Sequence, residues 1–507
     1  MRARRGRRWQ SLLAACVVLG VPCEALAYDA EVESSTTAQA YQINSASGSP
    51  LLTRSRVIET VGLGVYHLTD EGNGNGPQLF FRARMRVDGD FSHARDEIAL
   101  GTGDYGGYKA REPALPLDLM YGYLEGRRIA GGLMTFRLGR QQVIDPLGFY
   151  AFDGGLVRIT TPAYFAVELY GGLEVRNGFP LSTGRWELSG VQRGMRPPDS
   201  FGDAYPSIQK EHIAPVYAIS IESVGPTWIH GRLTYRKAYN TGLSYVGGPA
   251  NVDRSSGRPM VTPGLATWEG QRVSSERLGY GLNAELGDLA AVHGTLIYDL
   301  YGQAITSADA GIDGFLSKRV TVGGDYTYYR PMFDADSIFN SFHIDPMDDF
   351  AARIEVQATD RVSLEADAMV RRYRTDDVDD YTRVATQYAP GGGMRVRYLW
   401  PTARVTTRLQ TLSGDQGDRH GGDVHLEKSF GPRWLADGRL SLWHFSDRTR
   451  ADANGRTRTA NSAGYVLGAG YRLTPDANAF LQFEQDFNRL IGQRMRVMAV
   501  LSVRLGT

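Results

Sequence analysis

From Leu79 to Phe91 the chain reads LFFRARMRVDGDF. The odd positions, Leu79, Phe81, Ala83, Met85, Val87, Gly89 and Phe91, carry no polar side chain, and the even positions from Arg82 to Asp90 are all charged. A period of two predicts a β-strand with one face suited to oil and the other to water. A soluble sheet can use such a strand once or twice. Here the pattern recurs from end to end, with turn residues between the copies. It predicts an all-β fold, a transmembrane antiparallel up-and-down β-barrel with its apolar side outward and its polar side around a lumen.

The alternation sets Met134, Phe136 and Leu138 against Thr135 and Arg137, and Ile229, Leu233 and Tyr235 against His230, Arg232 and Arg236. It sets Val362, Leu364 and Val370 against Ser363, Glu365, Asp367 and Arg371. Short connections such as Thr161-Pro162, Gly225-Pro226, Pro401-Thr402 and Pro475-Asp476 alternate with longer polar ones, near 92–117, 176–213, 240–275, 331–350, 374–391 and 447–462. The count is about 22 strands, in a band of roughly 18 to 24. An even number puts both termini on the short-turn side, the periplasmic side of bacterial outer-membrane barrels, and the long loops outside the cell. A propeller or solenoid is the competing fold. It would show a repeat of fixed length, and none is visible.

Mean hydropathy is −0.31, which a membrane barrel shares with soluble proteins because half of each strand is polar. No apolar run beyond the N-terminus is long enough for a membrane helix. The first 27 residues read as a secretory signal: Arg2, Arg4, Arg5, Arg7 and Arg8, an apolar core from Leu12 to Val21, and Ala25-Leu26-Ala27 as the cleavage site. Residues 28–507 form a single barrel domain on this reading. Leu13-Ala14-Ala15-Cys16 resembles a lipoprotein box, but the apolar core runs on past it. Both cysteines, Cys16 and Cys23, fall inside the signal, so the processed chain has no disulfide and no thiol chemistry. Losing the signal arginines leaves the chain slightly acidic, which argues against nucleic acid as a partner.

The charged face supplies the candidate site. Arg82, Arg84 and Arg86 adjoin on one strand. Arg395, Arg397, Arg404 and Arg408 form a second basic group on two strands joined by Pro401-Thr402, and Arg137, Arg232 and Arg236 face the same way. Glu168, Glu174, Glu285, Glu365 and Asp367 are the expected counter-ions. The set reads either as a constriction that selects permeants by sign or as a ladder of salt bridges that keeps the wall in shape. Acidic stretches at 334–349, 376–380 and 415–423 are expected to be solvated loops. None matches a calcium-loop pattern, so no metal and no cofactor is expected. The nine histidines are scattered and no nucleophile motif accompanies them, so the chain does not read as an enzyme. Aromatic residues such as Tyr66, Trp228, Tyr328, Trp400 and Trp434 fall near strand ends, where interfacial girdles belong.

Over 28–507 the chain resembles porin-like outer-membrane β-barrel proteins. Leu138-Gly139-Arg140-Gln141, with Phe152-Asp153-Gly154-Gly155 and Arg158, is similar to the strand–loop–strand pattern of alginate-export-type barrels. That resemblance implies an arginine-lined pore for an anionic polysaccharide. The absence of a plug-sized segment before the first strand argues against a TonB-dependent transporter, and the absence of a periplasmic repeat domain argues against a barrel-assembly factor. The leading expectation is a channel for polar or anionic solutes in the outer membrane. Its alternatives are a non-conducting barrel of an export, adhesion or motility apparatus, and a polysaccharide exit pore. The expected partners are outer-membrane lipid, the barrel-insertion machinery and, on the structural alternative, periplasmic or envelope-complex proteins. Such barrels usually end on an aromatic residue, and Leu505 holds that place here.

Overall fold

The computed structural model describes residues 29–45, 47–69, 76–90, 117–175, 214–240, 272–330, 346–376, 384–451, 457–488 and 492–506, and four two-residue strands between 244 and 268. The 1–27 signal lies outside the described residues. The strands are β1 (Asp29–Asn44), β2 (Pro50–Tyr66), β3 (Gln78–Asp90), β4 (Leu117–Ile129), β5 (Met134–Asp145) and β6 (Gly148–Thr160). Next come β7 (Phe165–Glu174), β8 (Pro215–Ser223), β9 (Ile229–Asn240), β10 (Arg272–Leu286), β11 (Ala290–Asp299) and β12 (Ala304–Ser317). Then follow β13 (Val320–Tyr329), β14 (Met347–Thr359), β15 (Val362–Asp376), β16 (Val384–Trp400) and β17 (Ala403–Gly414). The last are β18 (Gly417–Phe430), β19 (Trp434–Ala451), β20 (Thr457–Thr474), β21 (Ala477–Asn488) and β22 (Gly492–Gly506).

Each strand pairs antiparallel with its neighbours in sequence, in one sheet of 22 strands. β1 closes it on β22, from Glu31 opposite Gly506 to Asn44 opposite Gln493. Closure pairs the backbone of every spanning strand and removes both edges, which a sheet needs to stand in lipid. One face of most strands carries exposed large apolar residues, among them Leu169, Ile221, Leu296, Ile354, Leu409, Leu440 and Leu501. In water such a band would be a liability; against acyl chains it is the expected outer surface. An exception is Glu59, on the outer face of β2 between Val57 and Val61. It accepts hydrogen bonds from Ser34 (2.6 Å) and Thr36 of β1, so the carboxylate is answered within the wall.

The four longest connections, 91–116, 175–214, 241–271 and 330–346, fall at one end of the barrel, and the longest at the other end is 67–77. The end with the four longest also carries tight turns at Pro146-Leu147, 300–303 and Asp415-Gln416. Several expected loops are partly strand. The stretch 415–423 is a turn followed by the start of β18, and β14 begins at Met347, β15 runs to Asp376 and β19 to Ala451. Polar outward residues at these upper ends hid the alternation. Beyond the apolar belt a strand has water on both faces, so its pattern loses contrast while its backbone pairing continues.

Candidate functional site

The polar faces line the inside. The proof is a contact across the sheet: Leu147, in the β5–β6 turn, packs on Gly279 of β10, and Pro146 packs near Gly281. β7, β8 and β9 lie between them in the sheet, so only the interior offers such a path.

On β3 the expected arginine ladder divides in three. Arg86 pairs with Asp118 of β4 at 3.1 Å, both side chains buried. Arg84 lies 3.9 Å from Glu33 of β1 and donates to Thr60 at 3.3 Å. Arg82 has no ion pair among the described residues; its guanidinium sits 5.3 Å from the centroid of Tyr66. The counter-ions of this ladder are therefore Glu33 and Asp118, not the carboxylates first expected. Next to it, Asp88 takes a two-point bond from Arg56 of β2, with Nε to Oδ1 at 2.6 Å.

The second basic group holds together better. Arg395 on β16 stands directly opposite Arg408 on β17, and Arg397 opposite Thr406. Arg395 is answered by Glu365 at 2.6 Å and Arg404 by Glu427. Arg397 and Arg408 have no ion pair among the described residues, and the inner faces of β16 and β17 carry no described acidic side chain. Asp423 of β18 stands directly opposite Arg408 but is engaged by Arg439 at 3.3 Å, so Arg397 and Arg408 remain on this wall without a carboxylate at ion-pair distance. Asp367 and Glu285, expected as counter-ions, make no ion pair among the described residues. Glu168 does serve, binding Arg232 at 2.5 Å with Arg158 at 3.8 Å. Glu222 joins the same network through Arg158 at 2.5 Å and His230 at 2.8 Å. Arg137 reaches Glu125 at 3.5 Å.

Arg236 belongs to a feature that sequence reasoning missed. β5 pairs with β4 only as far as Arg140, and β6 pairs with β7 only from Phe152 onward. The hairpin tip between them is paired in the sheet only with itself, and it leans over the inner faces of β7, β8 and β9. Val143, Phe152 and Leu156 then bury themselves against Tyr170, Val216, Ala218 and Ala238, with Phe152 stacked on Tyr170 at 4.8 Å. Arg236 latches the tip. It lies 3.6 Å from Asp145, 4.1 Å from the ring centroid of Tyr150, and donates to the Leu147 carbonyl at 3.4 Å. The lean starts at a row of glycines, Gly139 opposite Gly154 and Gly154 opposite Gly172. A Cβ on Gly154 would overlap the carbonyl oxygen of Gly171, and Gly139 has φ of 127°; only glycine permits this approach. These are the residues of the LGRQ and FDGG stretches. Glycine clustering was their visible signal.

Three groups able to hold a metal, His425, Glu427 and Asp437, lie within 4.8 Å of one another on the inner wall. Arg404 already binds Glu427, and His425 Nε2 lies 2.5 Å from Asp437, so the cluster is answered within the protein.

A closed antiparallel ladder, apolar outside and ionic inside, defines an outer-membrane-type β-barrel of the porin-like kind. No protein-family model matches the sequence, and no curated protein is significantly similar to it. Among solved structures, the chain is similar in fold to a variant of the ferric enterobactin receptor PfeA of Pseudomonas aeruginosa. The TM-score is 0.53 at 11% identity, over 94% of this chain and 80% of the receptor. OccAB4 of Acinetobacter baumannii matches over 96% of this chain and 100% of its own, at 6% identity and a TM-score of 0.42. A BenF-like porin of Pseudomonas fluorescens Pf-5 covers 95% and 99%, at 8% identity and 0.41.

Proposed function

We propose that the protein is a porin-like channel of the bacterial outer membrane, passing polar solutes with a preference for anions. The observation that carries the preference is the β16–β17 wall. Arg395, Arg397, Arg404 and Arg408 share it, and only two of the four have carboxylate partners. Unanswered guanidiniums on a low-dielectric wall focus positive potential into the lumen. Elsewhere the lumen balances or is locally acidic: Arg232 and Arg158 answer Glu168 and Glu222, Arg353 stands between Asp313 and Asp325, and Asp367 and Glu285 have no ion pair among the described residues, so the proposed preference rests on the β16–β17 wall alone.

The test is conductance in a planar bilayer under a potassium chloride gradient. Replacing Arg397 and Arg408 together by Gln is expected to lower the chloride-to-potassium permeability ratio while the gel mobility of the folded barrel stays the same. An unchanged reversal potential in a folded, conducting variant removes the anion preference from this wall.

A second reading is favoured by the in-folded hairpin: a closed barrel serving as a partner-binding piece of an envelope assembly. A folded barrel that never conducts, and that retains periplasmic proteins on purification, supports it. The polysaccharide exit pore rests on the LGRQ and FDGG resemblance, and those residues have a structural use as the crease of the hairpin.

A further inference from the structure

We propose that the outer surface of β13–β16, at the top of the apolar belt, binds the phosphate of an outer-leaflet glycolipid. On β15 the outward positions Val362, Leu364, Ala366, Ala368 and Val370 are apolar, and the next two are Arg372 and Arg374. The apolar run covers roughly 20 Å of height for a strand tilted at about 40°, close to the belt of outer-membrane barrels. The two arginines therefore stand where the belt gives way to headgroups, at the end with the long loops, which faces the cell exterior in such barrels.

The arginines are held in place. Asp348 of β14, opposite Arg372 in the ladder, points outward and is fully buried beneath them. Its carboxylate accepts from Arg372 Nε at 2.8 Å, from Arg374 Nε at 3.0 Å and from the Tyr326 hydroxyl at 2.8 Å. Arg372 lies 5.9 Å from the Phe350 centroid, and Arg374 lies 5.7 Å from that of Tyr328. Two guanidiniums present more N–H donors than one carboxylate accepts. Both remain partly exposed, at 30% and 39%. The cluster is a net cation whose forks are already oriented, the arrangement that suits a phosphate. Exposed Phe350 and Tyr388 flank it and offer apolar and aromatic surface to the first carbons of an acyl chain.

The test uses the full folded barrel in detergent and lipid A bearing both phosphates as the probe, with binding read by native mass spectrometry. Wild-type protein is expected to hold the lipid in the presence of a chelator. Arg372→Gln with Arg374→Gln should weaken binding about tenfold or more, the worth of one charge-assisted contact. Arg371→Gln, whose side chain pairs with Asp349 on the inner face, should leave binding unchanged. The double variant strands Asp348. Adding Asp348→Asn removes the buried charge as well, and this triple variant is expected to fold and to bind weakly. Four outcomes overturn the proposal: a folded triple variant that binds as tightly as wild type; equal binding of the lipid stripped of its phosphates; loss of wild-type binding on chelation, which would assign the lipid to cations held by acidic residues 376–380; or full competition by equimolar inorganic phosphate, which would make this a small-anion site.

Discussion

Arg56 and Asp88 show what charge costs at the level of single residues. Their side chains are 5% and 1% exposed. Removing one partner of a buried pair leaves an unanswered charge, at a cost of about 3–5 kcal/mol. Asp88→Ala should therefore lower the urea midpoint of the barrel by a corresponding margin. Replacing both, Arg56→Met with Asp88→Leu, should restore most of it, because no charge is then left alone. Arg82 makes a contrast. It has no ion pair among the described residues, only the face of Tyr66 and a hydrogen bond with Tyr123, so Arg82→Gln should cost no more than about 2 kcal/mol. If Asp88→Ala and Arg82→Gln shift the midpoint equally, the division of inner-wall arginines into anchored and unanchored ones is wrong. Sequence placed Arg82 and Asp88 on one face of a strand. It did not show the partner, because Ile58, not Arg56, is directly opposite Asp88. The bond is diagonal and depends on twist and register.

At the scale of elements, the β5–β6 hairpin sets its tip inside the barrel, against the inner faces of β7 to β10. Its tip gives up hydrogen bonding to β4 and β7, and in return buries Val143, Phe152 and Leu156 against the wall. The processed chain is expected to hold no cysteine, so a disulfide can report the position without background. Leu147→Cys with Gly279→Cys should crosslink on mild oxidation, since a Cβ on Gly279 would touch Leu147. In a hairpin continuing straight up the sheet, β7, β8 and β9 would separate the two thiols by roughly 20 Å, given neighbouring strands about 4.8 Å apart. Absence of a crosslink in the folded, oxidised barrel would show that the tip stands upright. Gly154→Val, which cannot form the crease, should raise single-channel conductance; unchanged conductance would show that the tip does not obstruct flow.

For the molecule as a whole, the closed ladder and its apolar belt predict insertion in a bilayer. Carbonate or high salt should leave the protein in the membrane fraction, and detergent should release it as a folded form that migrates faster on unheated gels than after boiling. Release by carbonate alone would contradict a spanning barrel. β22 completes the ladder on β1, where Arg504 also pairs with Glu31, so its final residues bear on assembly as well as on stability.

The sequence by itself determined the strand pattern, the strand number and the face on which most charges lie. Each of these is a local property, carried by alternate residues along one strand. Only the tertiary structure decided which arginine meets which carboxylate, that the upper ends of β15 and β18 continue as strand, and that β5 and β6 fold inward. It alone joined Asp348 to Arg372 and Arg374 in one outward cluster with Tyr326. These features depend on register between strands and on contacts between residues distant in the chain. A period of two has no means of encoding either.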